Sequence, residues 1–208
     1  MMADSGFLLI SGNPALSFGK GSVGTSTLKT IFMKKIKIIS TLLLIFNSSL
    51  FFAQNEFSRW YFGNGGTGLN FNSSPPSVLT GGVINYAEAC ATISDINGNL
   101  LFYTDGVSVV NSNNSLMANG SGLSGNSSTS QGAVIAKQPG NNNIYYLFTI
   151  EEAGQANGYR YSIVDMALAA GLGSVTVKNA TLYAPSCEKQ VAVRHCNGRD
   201  VWIVSHEY

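Results

Sequence analysis

The sequence predicts an all-β protein, and three observations carry that prediction. First, one unit occurs three times: a short aliphatic strand, an Asn/Gly turn and an aromatic-rich strand. Its copies centre on "DINGNLLFYTDG" (95–106), "AVIAKQPGNNNIYYLFTIEE" (133–152) and "VAVRHCNGRDVWIVSHEY" (191–208). Second, helical periodicity is nearly absent outside residues 33–53. Third, only 11% of residues are charged, and polarity comes instead from Asn, Ser, Thr and 23 Gly, the residues of turns. The copies start roughly 40 to 60 residues apart with several short strands each, a spacing that suits the blades of a β-propeller. The expected fold is an incomplete β-propeller-like array of antiparallel hairpins, preceded by an N-terminal signal helix.

Residues 1–32 read as a disordered upstream leader, with Met33 as the true start. Within them "KGSVGTST" (20–27) resembles an ATPase phosphate loop, with Lys20 and Gly24 in place. Thr25 stands where the phosphate-reaching lysine belongs, and no strand–loop–helix unit fits before residue 33, so the stretch reads as a glycine-rich leader. "MKKIKIISTLLLIFNSSLFFAQ" (33–54) opens on Lys34, Lys35 and Lys37 and continues through an apolar run interrupted by Ser40 and Thr41. With Ala53 at its end, that order is a secretory signal peptide over 33–53. Asn47, Ser48 and Ser49 break the run short of the roughly 20 residues a membrane span needs. Cleavage near Ala53 is expected, leaving a secreted or outer-surface chain with no membrane span.

The mature region, 54–208, is the repeat region. A two-residue turn at Asn97-Gly98, the strongest short hairpin signal, makes Ile96 face Asn99, pairs Ile93 with Phe102 and Thr92 with Tyr103. The same register at Asn197-Gly198 pairs Val193 with Trp202 and Ala192 with Ile203. The middle copy turns on Pro139-Gly140 and three asparagines. "WYFGN" (60–64), "YRYSIVDM" (159–166) and "GSVTVKNATLYA" (173–184) read as further strands, and "VDMALAAG" (164–171) as one helical turn stopped by Gly171 and Gly173. "NGSGLSGNSSTSQ" (119–131) reads as a long surface loop held outward. Roughly 155 residues supply only about three blades, and the chain stops on an aromatic strand with no closing element. The region is therefore expected to be the N-terminal part of a longer protein, truncated at its C-terminus.

A net charge of +1 lacks the basic stripe that nucleic acid requires. The three cysteines, Cys90, Cys187 and Cys196, leave at least one thiol unpaired in an oxidising compartment. Cys187 and Cys196 flank one strand too long to let them bond; a Cys90–Cys187 bridge stays open, and small buried residues are the default. Asp95, Asn97 and Asn99 alternate like a calcium loop but lack the later bidentate carboxylate. His195, His206 and Glu207 do not make the three or four convergent ligands of zinc, and the register sets His206 opposite Lys189. Asp105, Glu151, Glu152, Glu188 and Glu207 follow aromatic strands, where a glycosidase would need a convergent pair. Trp60, Tyr61, Phe102, Tyr103, Tyr145, Tyr146 and Trp202 could form a sugar-stacking platform, but alternation turns about half of each run toward the sheet-packing core, and core filling is the default reading. Asn119, Asn126 and Asn179 match the glycosylation pattern by composition alone. No residue is assigned as catalytic, cofactor-binding or metal-binding.

Five successive stretches carry a resemblance: "RWYFGNGGTGLNF", "EACATISDINGNLLFYTDG", "QGAVIAKQPGNNNIYYLFTI", "GYRYSIVDM" and "CEKQVAVRHCNGRDVWIVSHE". Their order is similar to the N-terminal region of large cell-surface proteins of gliding bacteria, exported by type IX secretion and ending in a gliding-motility-associated, type B sorting domain. The resemblance covers residues 59–208 and implies a propeller-like, surface-attached protein with adhesive or interaction roles. The sorting domain itself is absent from this sequence. The expected function is a non-enzymatic secreted or cell-surface interaction protein whose partner is a surface glycan or protein, with the secretion machinery a partner by resemblance only. The alternatives are a secreted carbohydrate-active propeller enzyme and a purely structural spacer.

Overall fold

The computed structural model describes residues 5–10, through their backbone, and 55–62, 65–85, 88–152 and 154–208. The phosphate-loop-like stretch 20–27 and the signal segment 33–53 lie outside the described residues. Among those described, the fold is all-β: four small antiparallel sheets with two short 3₁₀ turns, Asn55–Phe57 and Ala169–Gly171. No helix among them is long and apolar enough to cross a membrane.

The first sheet holds β2 (Arg59–Tyr61), β3 (Gly68–Asn70) and β4 (Ser77–Leu79). The second holds β5 (Ala91–Ser94), β6 (Leu100–Thr104) and β7 (Val109–Asn111). The third runs in order through β8 (Ala133–Lys137), β9 (Ile144–Ile150), β10 (Tyr159–Asp165) and β11 (Ser174–Tyr183). The fourth pairs β12 (Ser186–Arg194) with β13 (Val201–Glu207). The outer edge of β13 is taken by β1 (Ser5–Ile10), a stretch that the sequence placed in the disordered leader. Four sheets stand where the length suggested three units, because the three-residue strands β3, β4 and β7 lie below the length at which alternation is visible. Among the described residues the sheets do not close into a barrel or ring.

Three cores join the sheets in chain order. Tyr61, Ile84, Leu100, Tyr103 and Val110 pack the first sheet on the second. Ile93, Phe102 and Val109 meet Ile135, Tyr145, Leu147 and Val164 between the second and third. Phe148, Ile150 and Tyr159 meet Ile203 between the third and fourth. Successive strand residues point to opposite faces, so Phe102 and Tyr103 enter different cores, as do Leu147 and Phe148. Alternation assigns about half of each aromatic run to a core; in β6 and β9 a second covered face buries residues of the other half as well. Burial pushes the Tyr145 phenol up to about 12.

The hairpins form where expected but turn differently. At the first, Asp95 N–H donates to Asn99 O (2.8 Å) and Gly98 N–H to Asp95 O (3.0 Å). The loop therefore has three residues, and Ile96 does not face Asn99. The Asp95 carboxylate favours this turn by accepting the backbone N–H groups of Asn97 and Asn99, both at 2.8 Å. Only Gly98 takes a positive φ, +80°, whereas a two-residue turn of this kind needs two. A bulge then absorbs Leu101 and restores the expected pairs Ile93–Phe102 and Thr92–Tyr103. The β12–β13 loop has four residues, closed by His195 N–H to Asp200 O (2.8 Å), with Val193–Trp202 and Ala192–Ile203 paired as expected. Farther along, the ladder jumps from Gln190–Ser205 to Ser186–Glu207, so Lys189 and His206 are not partners.

The stretch 119–131 is not held outward. Asn119 Nδ2 donates to Val175 O (2.8 Å), Lys178 Nζ to Ser121 O (2.7 Å), and Asn179 Nδ2 to Gly122 O (2.9 Å). Leu123 and Thr129 are buried. The segment is a strap laced onto β11, because its many backbone groups find partners there rather than in water.

Candidate binding cavity

One edge strand of each sheet adjoins an edge strand of the next: β2 beside β5, β5 beside β8, β8 beside β12. Each of these strands has a ladder partner on one side only. Where they converge lies an open cavity of about 480 Å³. Its walls are Trp60 and Tyr61 of β2, Ala91 and Thr92 of β5, Ala133, Val134 and Ile135 of β8, and Gln190, Val191 and Ala192 of β12, with Phe57, Phe62 and Cys90 beside them. Consecutive residues line it, so strand backbone as well as side chains faces the space. Among the described residues, none that lines it carries a charge.

Two polar latches hold the walls. Tyr61 N–H donates to Thr92 Oγ1 (2.9 Å), and the Thr92 hydroxyl lies 3.4 Å from Tyr61 O, tying β2 to β5. Gln190 is buried; its Oε1 accepts from the Tyr159 hydroxyl (3.0 Å) and its Nε2 donates to Gln131 O (2.8 Å), tying β12 to the third sheet. Burial holds the Tyr159 phenol well above its ordinary value. The rim is aromatic. Trp60 is 51% exposed and Phe57 53%. The Trp60 indole is fixed by Nε1–H donating to Phe57 O (2.8 Å) and by a tilted contact with Phe71 at 4.9 Å.

Of the seven aromatics singled out in the sequence, Trp60 is exposed, Tyr146 and Trp202 are half-buried, and Tyr61, Phe102, Tyr103 and Tyr145 are core. Phe57, Phe62 and Phe71 join Trp60 at the surface and were missed. Their signal was their crowding around Trp60 in a stretch too short for regular alternation. Cys90 and Cys196 are exposed and Cys187 half-buried, all three as free thiols, which corrects the expectation of burial. The strand ends that carry them are not covered by a neighbouring sheet.

The candidate carboxylates serve separate turns. Asp105 Oδ1 accepts from Val107 N–H (2.9 Å) and Ser108 N–H (2.6 Å). Glu151 accepts from the Asn157 backbone (2.7 Å) and side-chain amide (2.9 Å). Glu188 Oε2 accepts from Ser130 N–H (3.0 Å) and Oγ (3.1 Å). Glu152, in the bend after β9, and Glu207, at the end of β13, are exposed. Asp95, with Asn97 and Asn99, closes its turn: partial burial works against its charge, but hydrogen bonds from Asn99 and Asn97 outweigh it and hold the carboxyl below its ordinary value. His195 Nδ1 accepts from Asn197 N–H (3.1 Å), whereas His206 Nδ1 sits 2.6 Å from Glu207 O. No group of three or more His, Cys, Asp or Glu able to hold a metal occurs among the described residues. Asn119 and Asn179 use their side-chain amides in the strap, and Asn126 accepts from Ser128.

Comparison with family models, with curated proteins and with solved structures finds no match to this chain.

Proposed function

We propose that the chain is an exported surface module that works by binding rather than by catalysis, its four sheets serving as blades of an incomplete propeller-like array. The cavity carries this reading: four sheets bring uncharged and aromatic side chains to one place, as ligand sites do. The chain-order packing of the sheets on one another supports the blade reading. The segment over 33–53 supports export with cleavage near Ala53, and the resemblance over 59–208 supports a role at the surface of a gliding bacterium served by type IX secretion. Carboxylates that each brace a turn favour adhesion over hydrolysis.

Inert beads coated with the full chain test this on polysaccharide-coated and protein-coated surfaces. Retention on at least one surface is expected, lost with Trp60→Ala and kept with Glu151→Gln and Glu188→Gln. Retention that ignores Trp60, or a hydrolytic turnover abolished by Glu151→Gln, would overturn the reading.

A further inference from the structure

We infer that the cavity binds a neutral saccharide one or two rings in size; this deepens the binding reading above and rests on it. Size is the first argument. A space of about 480 Å³ lies in the range of small-molecule pockets. An added peptide strand would find edges of only three residues on β2, four on β5 and five on β8, and the longer β12 meets the space only through Gln190, Val191 and Ala192, the Gln190 N–H being already taken by Gln131 Oε1.

Charge is the second. Among the described residues no lining side chain is charged, so a phosphate, carboxylate or ammonium group would give up hydration with no countercharge to replace it. The third argument is the mixture of surfaces. Phe57, Trp60 and Phe62 present exposed ring area on one wall, while edge-strand backbone of all four sheets faces the same space. The Tyr61 N–H and C=O and the Gln190 N–H are taken by the Thr92 and Gln131 side chains; a hydrocarbon would cover the remaining edge N–H and C=O groups without bonding them, at a desolvation cost. A sugar ring sets its C–H face on an aromatic ring and turns its hydroxyls, each both donor and acceptor, to the backbone.

Cys90 provides the readout, because it lines the cavity and is exposed, while exposed Cys196 sits in the β12–β13 turn as an internal control. The full chain is alkylated with iodoacetamide in the presence of maltose, cellobiose or N,N′-diacetylchitobiose. The comparators are a digalacturonate and the peptide acetyl-Ala-Phe-Leu-Ala-amide. At ten times its dissociation constant, one neutral disaccharide is expected to slow alkylation of Cys90 about tenfold. Cys196 is expected to keep its rate. Trp60→Ala should remove the protection while leaving the sugar-free rate at Cys90 unchanged, which separates lost binding from lost folding. Protection by the peptide or the charged sugar alone would overturn the saccharide assignment and leave the binding reading standing. Absence of protection by every probe, with bead retention still dependent on Trp60, would do the same. Absence of both would overturn the two together.

Discussion

The β5–β6 and β12–β13 hairpins share an Asn-Gly turn and the same pairing register, yet they end in different surroundings. Ile93 is 3% exposed and its partner Phe102 not at all, whereas Val193 is 48% exposed. The second sheet is covered by the first on one face and the third on the other. The fourth packs on the third through Ile203, Ala192 and Val201, and Val193 is not part of that core. The braces differ too: Asp95 on the entry side of one turn, Asp200 on the exit side of the other, where its Oδ2 accepts from Asn197 Nδ2 at 2.8 Å. Turn chemistry can repeat while burial does not, since a turn is local and burial depends on which sheet arrives from elsewhere.

The largest expected effect breaks this comparison most directly. Phe102→Ala empties a fully buried position and should cost about 3–5 kcal/mol. Trp202→Ala removes a half-buried ring tilted on His195 and should cost about 1 kcal/mol. Urea denaturation of the two variants measures both, and equal losses would mean that the fourth sheet is as enclosed as the second.

A smaller contrast lies in the two turn glycines. Gly98 and Gly198 both hold a positive φ, +80° and +70°, which should cost an alanine about 1–2 kcal/mol. At Gly98 the added Cβ would also meet the Asn72 side chain at 2.5 Å, the group that donates to Gly98 O, while at Gly198 it meets open space. Gly98→Ala should therefore lower the unfolding midpoint further than Gly198→Ala; the reverse order would show that the Asn72 clasp is not binding the first sheet to the second.

The smallest effect is in pH. Hydrogen bonds to Asp95 favour its charged form and lower its folded pKa, so its contribution is fully present above the ordinary value of about 4. It is lost as pH falls through the lower folded value. An acid titration of stability should show a shallower decline for Asp95→Asn than for the parent chain. Matching curves would mean that the turn is held without the carboxylate.

Much of the molecule was legible because hairpin formation is written in neighbouring residues. Asn97-Gly98 and Asn197-Gly198 announced their turns, and β10 and β11 appeared within a residue or two of the expected stretches. The turn geometry was less legible. The Ile93–Phe102 register came out as expected only because a three-residue loop and a bulge at Leu101 offset each other. The strap at 119–131 looked like a free loop, since Asn and Ser signal a turn equally well whether they bond water or β11. The cavity was not legible at all: Trp60, Cys90, Ile135 and Gln190 lie far apart in the chain, and no spacing relates them.

By itself the sequence determined the all-β class, the places where the chain reverses and a surface poor in charge, because alternation, turn chemistry and composition act over a few residues. Only the tertiary structure decided which aromatics are core and which remain open, and that four separate strands line one open space with uncharged residues. Those outcomes depend on one sheet covering another, an interaction between residues too distant in the chain for local pattern to encode.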